Sequence, residues 1–265
     1  MANQGIYKNP IFLNSVTHKS VNIAPVTRYP FAKGLNSVVI VGQEFLEAAK
    51  HYPIVFTKTP ADEIIPVVIL GLRNNENLFV DEEGNWRGER YIPAFFRRYP
   101  FILVANAGQD GAYSVCVDSA YEGFDADEGM PLFDDKGNTT DRFKKVIEFL
   151  KNFNGQHEIT KDMVRMLQNF ELFKDFTANI TLPAGEKIGF SKLLMVDETA
   201  MFNLEDEQIV DLFRKGYLAW IYAHLYSLSN FRVLMNLAGH GGAAAAEPAP
   251  ESKPAPKSKP SAKSK

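Results

Sequence analysis

The hydrophobic pattern of this chain changes period near its middle, and this change most strongly limits the folds that the chain can adopt. Before about residue 125, apolar residues fall in short β-branched runs, such as IIPVVILGL at 64–72. After about residue 139 they recur at helical spacing, first at Phe143, Val146, Ile147 and Leu150. Short apolar runs are typical of strands, and i, i+3, i+4, i+7 spacing is typical of amphipathic helices. The sequence therefore predicts an α+β fold.

The elements divide between the two halves. We expect strands and short helices in the first half, with strands at 35–41, 54–58, 64–72, 78–80, 101–105 and 113–118, and helices at 43–51 and 91–99. The runs 64–72 and 78–80 flank an Asn-rich turn and are predicted to form a hairpin. In the helical second half, Thr139 or Thr140 can cap a helix that ends near Phe153, and Thr160 can cap another that ends near Leu172. A β-hairpin is expected over 175–196, followed by helices at 204–215 and 216–237.

These elements predict a single α+β domain over 1–242, β-rich over about 14–125 and mainly helical over about 139–240. The tail at 243–265 contains five Lys and two Glu and has no apolar side chain larger than Ala or Pro. Such a segment cannot bury enough apolar area to offset its ordering entropy, so the Lys/Pro/Ala tail is predicted to be disordered. It is either a solubilising linker or an anchor for an anionic surface or for the acidic body.

Charge and composition exclude several classes of protein. The formal net charge is −3 for the whole chain and −6 for residues 1–242, so no specific nucleic-acid partner is expected. The single cysteine, Cys116, excludes an intramolecular disulfide and any multi-Cys metal site. No transmembrane segment is expected, because no window reaches the roughly 18 apolar residues of a membrane span. No secretory signal is recognisable at the N-terminus, so the chain is expected to be cytoplasmic unless a dedicated export system carries it.

The usual catalytic motifs are absent from the sequence. It contains no phosphate-binding loop, no dinucleotide-binding glycine motif and no nucleophile elbow. The five histidines, at 18, 51, 157, 224 and 240, lack the spacing of a local metal-binding pair. The sequence therefore assigns no catalytic residue, and neither a metal site nor a cofactor is expected.

An acidic segment, Asp118–Asp135, is the one candidate for a cation-binding loop. An EF-hand loop that started at Asp125 would need Gly at its sixth position and Glu at its twelfth, where this chain has Met130 and Lys136. The register fails, which leaves a solvated acidic loop or an irregular cation site.

The segment GNWRGERYIPAFFRRYP, at 84–100, combines four arginines with five aromatic residues. Guanidinium groups suit carboxylate and phosphate, and aromatic rings beside them add stacking and cation–π contacts. This composition indicates a site for an anionic ligand or a partner, formed by Trp86, Arg87, Arg90, Tyr91, Arg97 and Arg98. In the alternative interpretation the aromatic residues are core, and the arginines pair with the acidic segment.

Several stretches of the chain resemble the bacterial SapC family. They are VTRYPFAK, VGQEFLEAAKHYPIVF, PVVILGLRNNENLFVDEEGNWRGERYIPAFFRRYPFIL, YEGF, PLFDDKGNTT, the helix at 143–150 and KLLMVDE. The resemblance runs from about Asn14 to Leu237 and leaves out the tail. It implies a link to the surface layer of bacteria and brings no established catalytic residues. A peptide-transporter permease that shares the family's name is a membrane protein, and this chain lacks its spans.

Two functions follow from the sequence. The first is a non-enzymatic accessory protein linked to the bacterial cell surface or surface layer, which binds a protein, a peptide or a small anionic ligand. The alternative is a cytoplasmic enzyme that holds an anionic or peptide substrate with the Arg/aromatic segment and uses the acidic loop for catalysis. Two carboxylates with opposed pKa shifts in one cleft would favour the enzyme. An open patch of exposed aromatic residues would favour a partner surface. The sequence leaves the oligomeric state open.

Overall fold

The computed structural model describes residues 5–106, 108, 112–181, 185 and 187–238. The predicted disordered tail at 243–265 and His240 lie outside the described residues.

Ten strands and seven α-helices form the described part of the chain. The strands are β1 (Pro10–Phe12), β2 (Asn22–Ile23), β3 (Ser37–Val39), β4 (Ile54–Lys58), β5 (Ile64–Ile69), β6 (Phe101–Ala105), β7 (Tyr113–Asp118), β8 (Met130–Pro131), β9 (Phe173–Thr181) and β10 (Lys187–Val196). The helices are α1 (Phe45–Ala48), α2 (Ala94–Arg97), α3 (Asp141–Asn169), α4 (Glu198–Met201), α5 (Asp206–Arg214), α6 (Tyr217–Ser227) and α7 (Phe231–Leu237). The predicted α+β class is confirmed.

The largest sheet joins strands from both halves of the sequence. Its five strands lie in the order β3-β5-β4-β10-β9, and every neighbouring pair is antiparallel. The predicted second-half hairpin, β9–β10, is confirmed, and it extends the sheet that β3, β4 and β5 begin. A three-stranded sheet, β1-β7-β6, and a two-stranded sheet, β2-β8, complete the β structure.

The predicted hairpin between 64–72 and 78–80 is wrong. The backbone N–H of Leu78 donates to Leu70, but Val80 forms an isolated bridge with Trp86 rather than a strand beside β5. The Glu76 carboxylate accepts the backbone N–H groups of Leu72 and Arg73 at 2.8 and 3.1 Å. A side chain therefore satisfies the donors that a second strand would have taken.

The two helices predicted over 139–172 form one helix of 29 residues, α3. The Thr140 cap is confirmed, since its hydroxyl accepts from the N–H of Phe143 at 3.3 Å. Thr160 is not a cap. Its buried hydroxyl donates to the Gln156 carbonyl at 2.6 Å and accepts from the N–H of Gly42 at 2.8 Å. A threonine that bonds back within its own helix can remain in the helix interior.

The largest hydrophobic core contains residues from both halves of the chain, from Ile6 to Met235. The apolar side chains of the predicted C-terminal helix pack on it, with Ile221 buried and Leu218, Leu225 and Leu228 partly buried. The predicted helix at 216–237 is divided into α6, a 3-10 turn and α7. This shared core supports the single domain over 1–242, which stays a prediction. Over the described residues, no helix is both long and apolar enough to cross a membrane.

A buried histidine on α6 continues the sheet where β4 and β10 separate. These strands pair directly at Leu193–Thr57 and Leu194–Phe56. Beyond that point, His224 Nε2 accepts from the N–H of Val196 at 3.1 Å, and Nδ1 contacts the Ile54 carbonyl oxygen at 2.8 Å. The imidazole is fully buried, and burial lowers its pKa to about 4. The neutral ring therefore makes the hydrogen bonds that backbone groups of a neighbouring strand would otherwise make, and it bridges β4 and β10.

We predict that His224 makes the protein less stable in mild acid. Its folded-state pKa lies below the unfolded value of 6.5, so its contribution is complete above about pH 6.5 and is lost as pH falls towards about 4. A shift of this size corresponds to about 3 kcal/mol. In urea unfolding between pH 4 and 7, His224→Gln should be less stable than wild type at pH 7 and should show a flatter pH dependence. Parallel pH profiles for the two proteins would contradict this role.

Candidate functional site

The Arg/aromatic segment folds as a turn followed by the short helix α2. Phe95 and Phe96 are completely buried in the main core, which fixes α2 in place. Pro93 precedes the helix, where its missing N–H costs no hydrogen bond. The segment is therefore held rigidly at α2, and its other side chains point in different directions. The six predicted site residues do not form one group.

Trp86 is a packing residue in this structure. Its indole N–H donates to the Tyr52 hydroxyl at 3.0 Å. The ring is partly buried against Tyr29 and Phe96, with centroid distances of 5.7 and 5.4 Å. Most of its surface is therefore taken by neighbours within the chain.

Arg87 and Arg90 lie together on the turn. Arg87 is exposed, whereas the Arg90 guanidinium donates to the Arg87 carbonyl at 2.7 Å and lies 5.5 Å from the centroid of Phe79. In the described part of the chain, no carboxylate of Asp118–Asp135 forms an ion pair with either of them. The Arg90 side chain is thus held by a backbone carbonyl of its own turn.

Arg97 is held by a chain of hydrogen bonds that starts at a buried carboxylate, Glu44. One Glu44 oxygen accepts from the Tyr91 hydroxyl at 2.8 Å and from the N–H of Ala94 at 2.7 Å, and the other accepts from the N–H of Val41 at 2.9 Å. The Tyr91 oxygen in turn accepts from Arg97 Nη2 at 2.7 Å. The guanidinium also lies between the rings of Tyr91 and Phe149, at 5.2 and 5.3 Å. Glu44 therefore positions Arg97 through Tyr91.

Burial raises the pKa of Glu44, although its hydrogen bonds and Arg97 oppose the shift. Burial also raises the pKa of Tyr91, and the neighbouring Glu44 charge adds to that effect. The Tyr91 hydroxyl consequently keeps its proton near neutral pH and can donate to Glu44 while accepting from Arg97.

Arg98, the next residue, is only 4% exposed. Its guanidinium carbon lies 4.3 Å from the ring centroid of Phe95 and 5.2 Å from that of Phe153. Burial lowers its pKa and Tyr7 opposes the shift, and arginine stays protonated at neutral pH. This places a fixed cation beneath the surface beside Arg97.

Both of these arginines line an open cleft of about 820 Å³. It lies between the loop after β2, the end of α2, the loop before β8 and the first two turns of α3. Arg142 and Lys145 project into it from α3, so four cations line it in all. Glu128 is the one carboxylate among the described lining residues. Tyr29 and Phe149 add aromatic surface, and the cleft is thus basic although residues 1–242 carry a net charge of −6.

The acidic segment does not form a cation site in the described structure. Asp118 is fully buried, and its carboxylate accepts from the N–H groups of Lys8 and Asn9 and from the Tyr99 hydroxyl. Burial alone would raise its pKa, but these hydrogen bonds outweigh burial and hold the pKa below its usual range. Asp125, Asp127 and Glu128 are exposed. Among the described residues, no three His, Cys, Asp or Glu side chains are grouped to hold a metal ion.

The arrangement can bind an anion, and its two buried carboxylates have structural partners. Glu44 and Asp118 have opposed pKa shifts, but neither is among the described residues that line the cleft. Each is occupied by backbone N–H groups. The criterion that would favour an enzyme, two such carboxylates facing one cleft, is therefore not met by this pair.

Two of the four cations in the cleft, Arg142 and Lys145, were not predicted from the sequence. Arg142 and Lys145 are three apart at the start of a predicted helix, a spacing that puts both on one side. In the structure described, neither has an ion-pair partner. Two cations three residues apart at the start of a predicted helix are a sequence pattern that could have identified these residues. No sequence pattern marks Glu44, because a glutamate in a helix-forming run is typical of an ordinary surface position.

Comparison with known proteins gives one match. The family model described as SapC matches residues 13–234. No curated protein and no solved structure matches the chain.

We predict that Glu44→Gln destabilises the protein by about 1–3 kcal/mol. The amide has only one acceptor oxygen, so its NH2 group must face a buried N–H or O–H group that also donates. Tyr91→Phe is the matched control. It removes one hydroxyl and leaves both backbone bonds of Glu44, so it should cost about 1 kcal/mol. Urea unfolding of both variants measures this difference. A Glu44→Gln protein as stable as wild type would show that the carboxylate does not hold these segments together.

Proposed function

Because the chain belongs to the SapC family, we propose that it is a non-enzymatic accessory protein linked to the bacterial cell surface or surface layer, and that it binds an organic anion in the basic cleft. The family resemblance supports the cellular setting. The cleft supports the binding role.

The observation that carries the binding role is the excess of positive charge in one cleft with aromatic walls. Arg142 and Lys145 are exposed there and can move onto an anionic group, whereas Arg97 is exposed but held in place by Tyr91, and Arg98 is a buried charge behind them. Guanidinium groups bind carboxylate, phosphate and sulfonate oxygens with strong charge-assisted hydrogen bonds. A volume of about 820 Å³ fits a small organic ligand or a short peptide segment.

The aromatic residues indicate what the rest of the ligand is like. Tyr29 and Phe149 are partly buried and line the cleft with Val26, Met130 and Val146. Apolar and aromatic surface of this kind favours a ligand with an apolar body attached to its anionic group. The proposed ligand class is therefore an amphiphilic anion, either free or as part of a peptide.

The test uses two fluorescent probes of nearly the same shape. Anilinonaphthalene sulfonate has an apolar body and one sulfonate, and phenylnaphthylamine has the same body without the charge. We expect the sulfonate to bind the wild-type protein more tightly than the neutral probe. The double change Arg142→Ala with Lys145→Ala should weaken sulfonate binding by about tenfold or more, since it removes two charge-assisted contacts. It should leave the affinity for the neutral probe nearly unchanged.

Two control variants make this test specific. Lys151→Ala with Arg165→Ala removes the same charges from the same helix, at exposed positions outside the cleft, and should leave sulfonate binding unchanged. Arg87→Ala with Arg90→Ala tests the other arginine pair of the segment. If that variant loses sulfonate binding and the cleft variant retains it, the cleft proposal is wrong.

The cellular setting has its own test. Fractionation of the native bacterium with an antibody against the chain should find a substantial part of the protein with the envelope or surface-layer fraction. A protein confined to the soluble cytoplasmic fraction would contradict the surface link and leave the binding role standing.

A further inference from the structure

Helix α5 is amphipathic, but only one edge of its apolar face is packed against the protein. Leu212 is completely buried, whereas Ile209, Val210 and Phe213 are 39%, 41% and 72% exposed. At 100° per residue these three side chains fall on one side of the helix, since positions three and four apart are neighbours. Phe202, just before the helix, is 78% exposed. Exposed apolar side chains that are neighbours on one helix face, as the three on α5 are, mark an interaction site.

The charges around this face are arranged so that it complements itself. Glu205, Asp206 and Glu207 put three carboxylates at the start of the helix, and Arg214 is its last residue. Glu207 and Arg214 are seven residues apart, which is about two turns, so they project from the same side of α5. In the part of the chain that the structure describes, neither forms an ion pair.

We propose that α5 is the contact between two copies of this chain, packed antiparallel about a two-fold axis. In such a pair each surface element meets its own copy, and the start of one helix lies beside the end of the other. Ile209, Val210 and Phe213 then pack on their counterparts. Glu207 of each copy faces Arg214 of its partner, so the pairing forms two equivalent ion pairs. A parallel arrangement would instead put the acidic ends together.

The expected dimer is weak. A helix of nine residues is about 14 Å long and offers less area than the roughly 1,200 Å² of a standard stable interface. The dimer should therefore form and dissociate reversibly with protein concentration, with a dissociation constant in the micromolar range or weaker.

Sedimentation equilibrium of the full chain across a concentration series tests the proposal. Wild type should shift from monomer to dimer, and Phe213→Asp should weaken the association at least tenfold. Because Phe213 is 72% exposed, this variant should unfold at the wild-type temperature. Tyr226→Asp is the matched control, since Tyr226 is 71% exposed on α6, and it should dimerise as wild type does.

A charge exchange tests the antiparallel geometry. Glu207→Arg alone and Arg214→Glu alone should each weaken the dimer, because each puts like charges opposite one another. The two changes together should restore it. A wild-type protein that stays monomeric at millimolar concentration would overturn the proposal. So would a dimer that Tyr226→Asp breaks and Phe213→Asp leaves intact, or single charge variants that the double variant does not rescue.

Discussion

The candidate site depends on the hydrogen bonds that one buried carboxylate, that of Glu44, accepts. It accepts hydrogen bonds from Val41, Tyr91 and Ala94, and so ties the turn before α1 to the start of α2. Burying an acidic group is costly unless its oxygens are satisfied, and here backbone N–H groups and a tyrosine satisfy them. The same tyrosine accepts from Arg97, which carries the constraint from the protein interior to the cleft. An exposed arginine is thereby held in place, and such a preorganised side chain would lose less entropy in binding the anion that we propose.

The cleft also depends on how the two halves of the chain combine. Its walls come from the loop after β2, the end of α2, the loop before β8 and the first turns of α3, which are far apart in sequence. The long helix α3 reaches from the cleft, through Arg142 and Lys145, to Gly42, whose N–H donates to Thr160. One rigid helix therefore supplies two of the cleft's cations and also contacts the turn that contains Glu44.

Local sequence patterns predicted most elements and few of the contacts between them. The strands at 54–58, 101–105 and 113–118 have the predicted bounds, because β-branched runs with clear turn residues leave little ambiguity. The break expected between Phe153 and Thr160 did not occur, since tertiary packing around Thr160 outweighs the weak helix propensity of Asn154 and Gly155. The Arg/aromatic segment drew attention to Arg97 and Arg98, which do line the cleft. The partners Arg142 and Lys145 come from the other half of the chain, and no local pattern specifies that meeting. Glu44 was unpredictable for the same reason, because its donors lie up to 50 residues away.

The role that we propose for the cleft between α2 and α3 is to receive an anionic group. The most direct measurement is a crystal structure of the full chain with anilinonaphthalene sulfonate. The sulfonate should lie within hydrogen-bond distance of Arg97, Arg142 or Lys145, with the ring system against Tyr29 or Phe149. A probe bound instead at Arg87 and Arg90, or on the exposed face of α5 with the cleft empty, would show that the cleft is not the anion site.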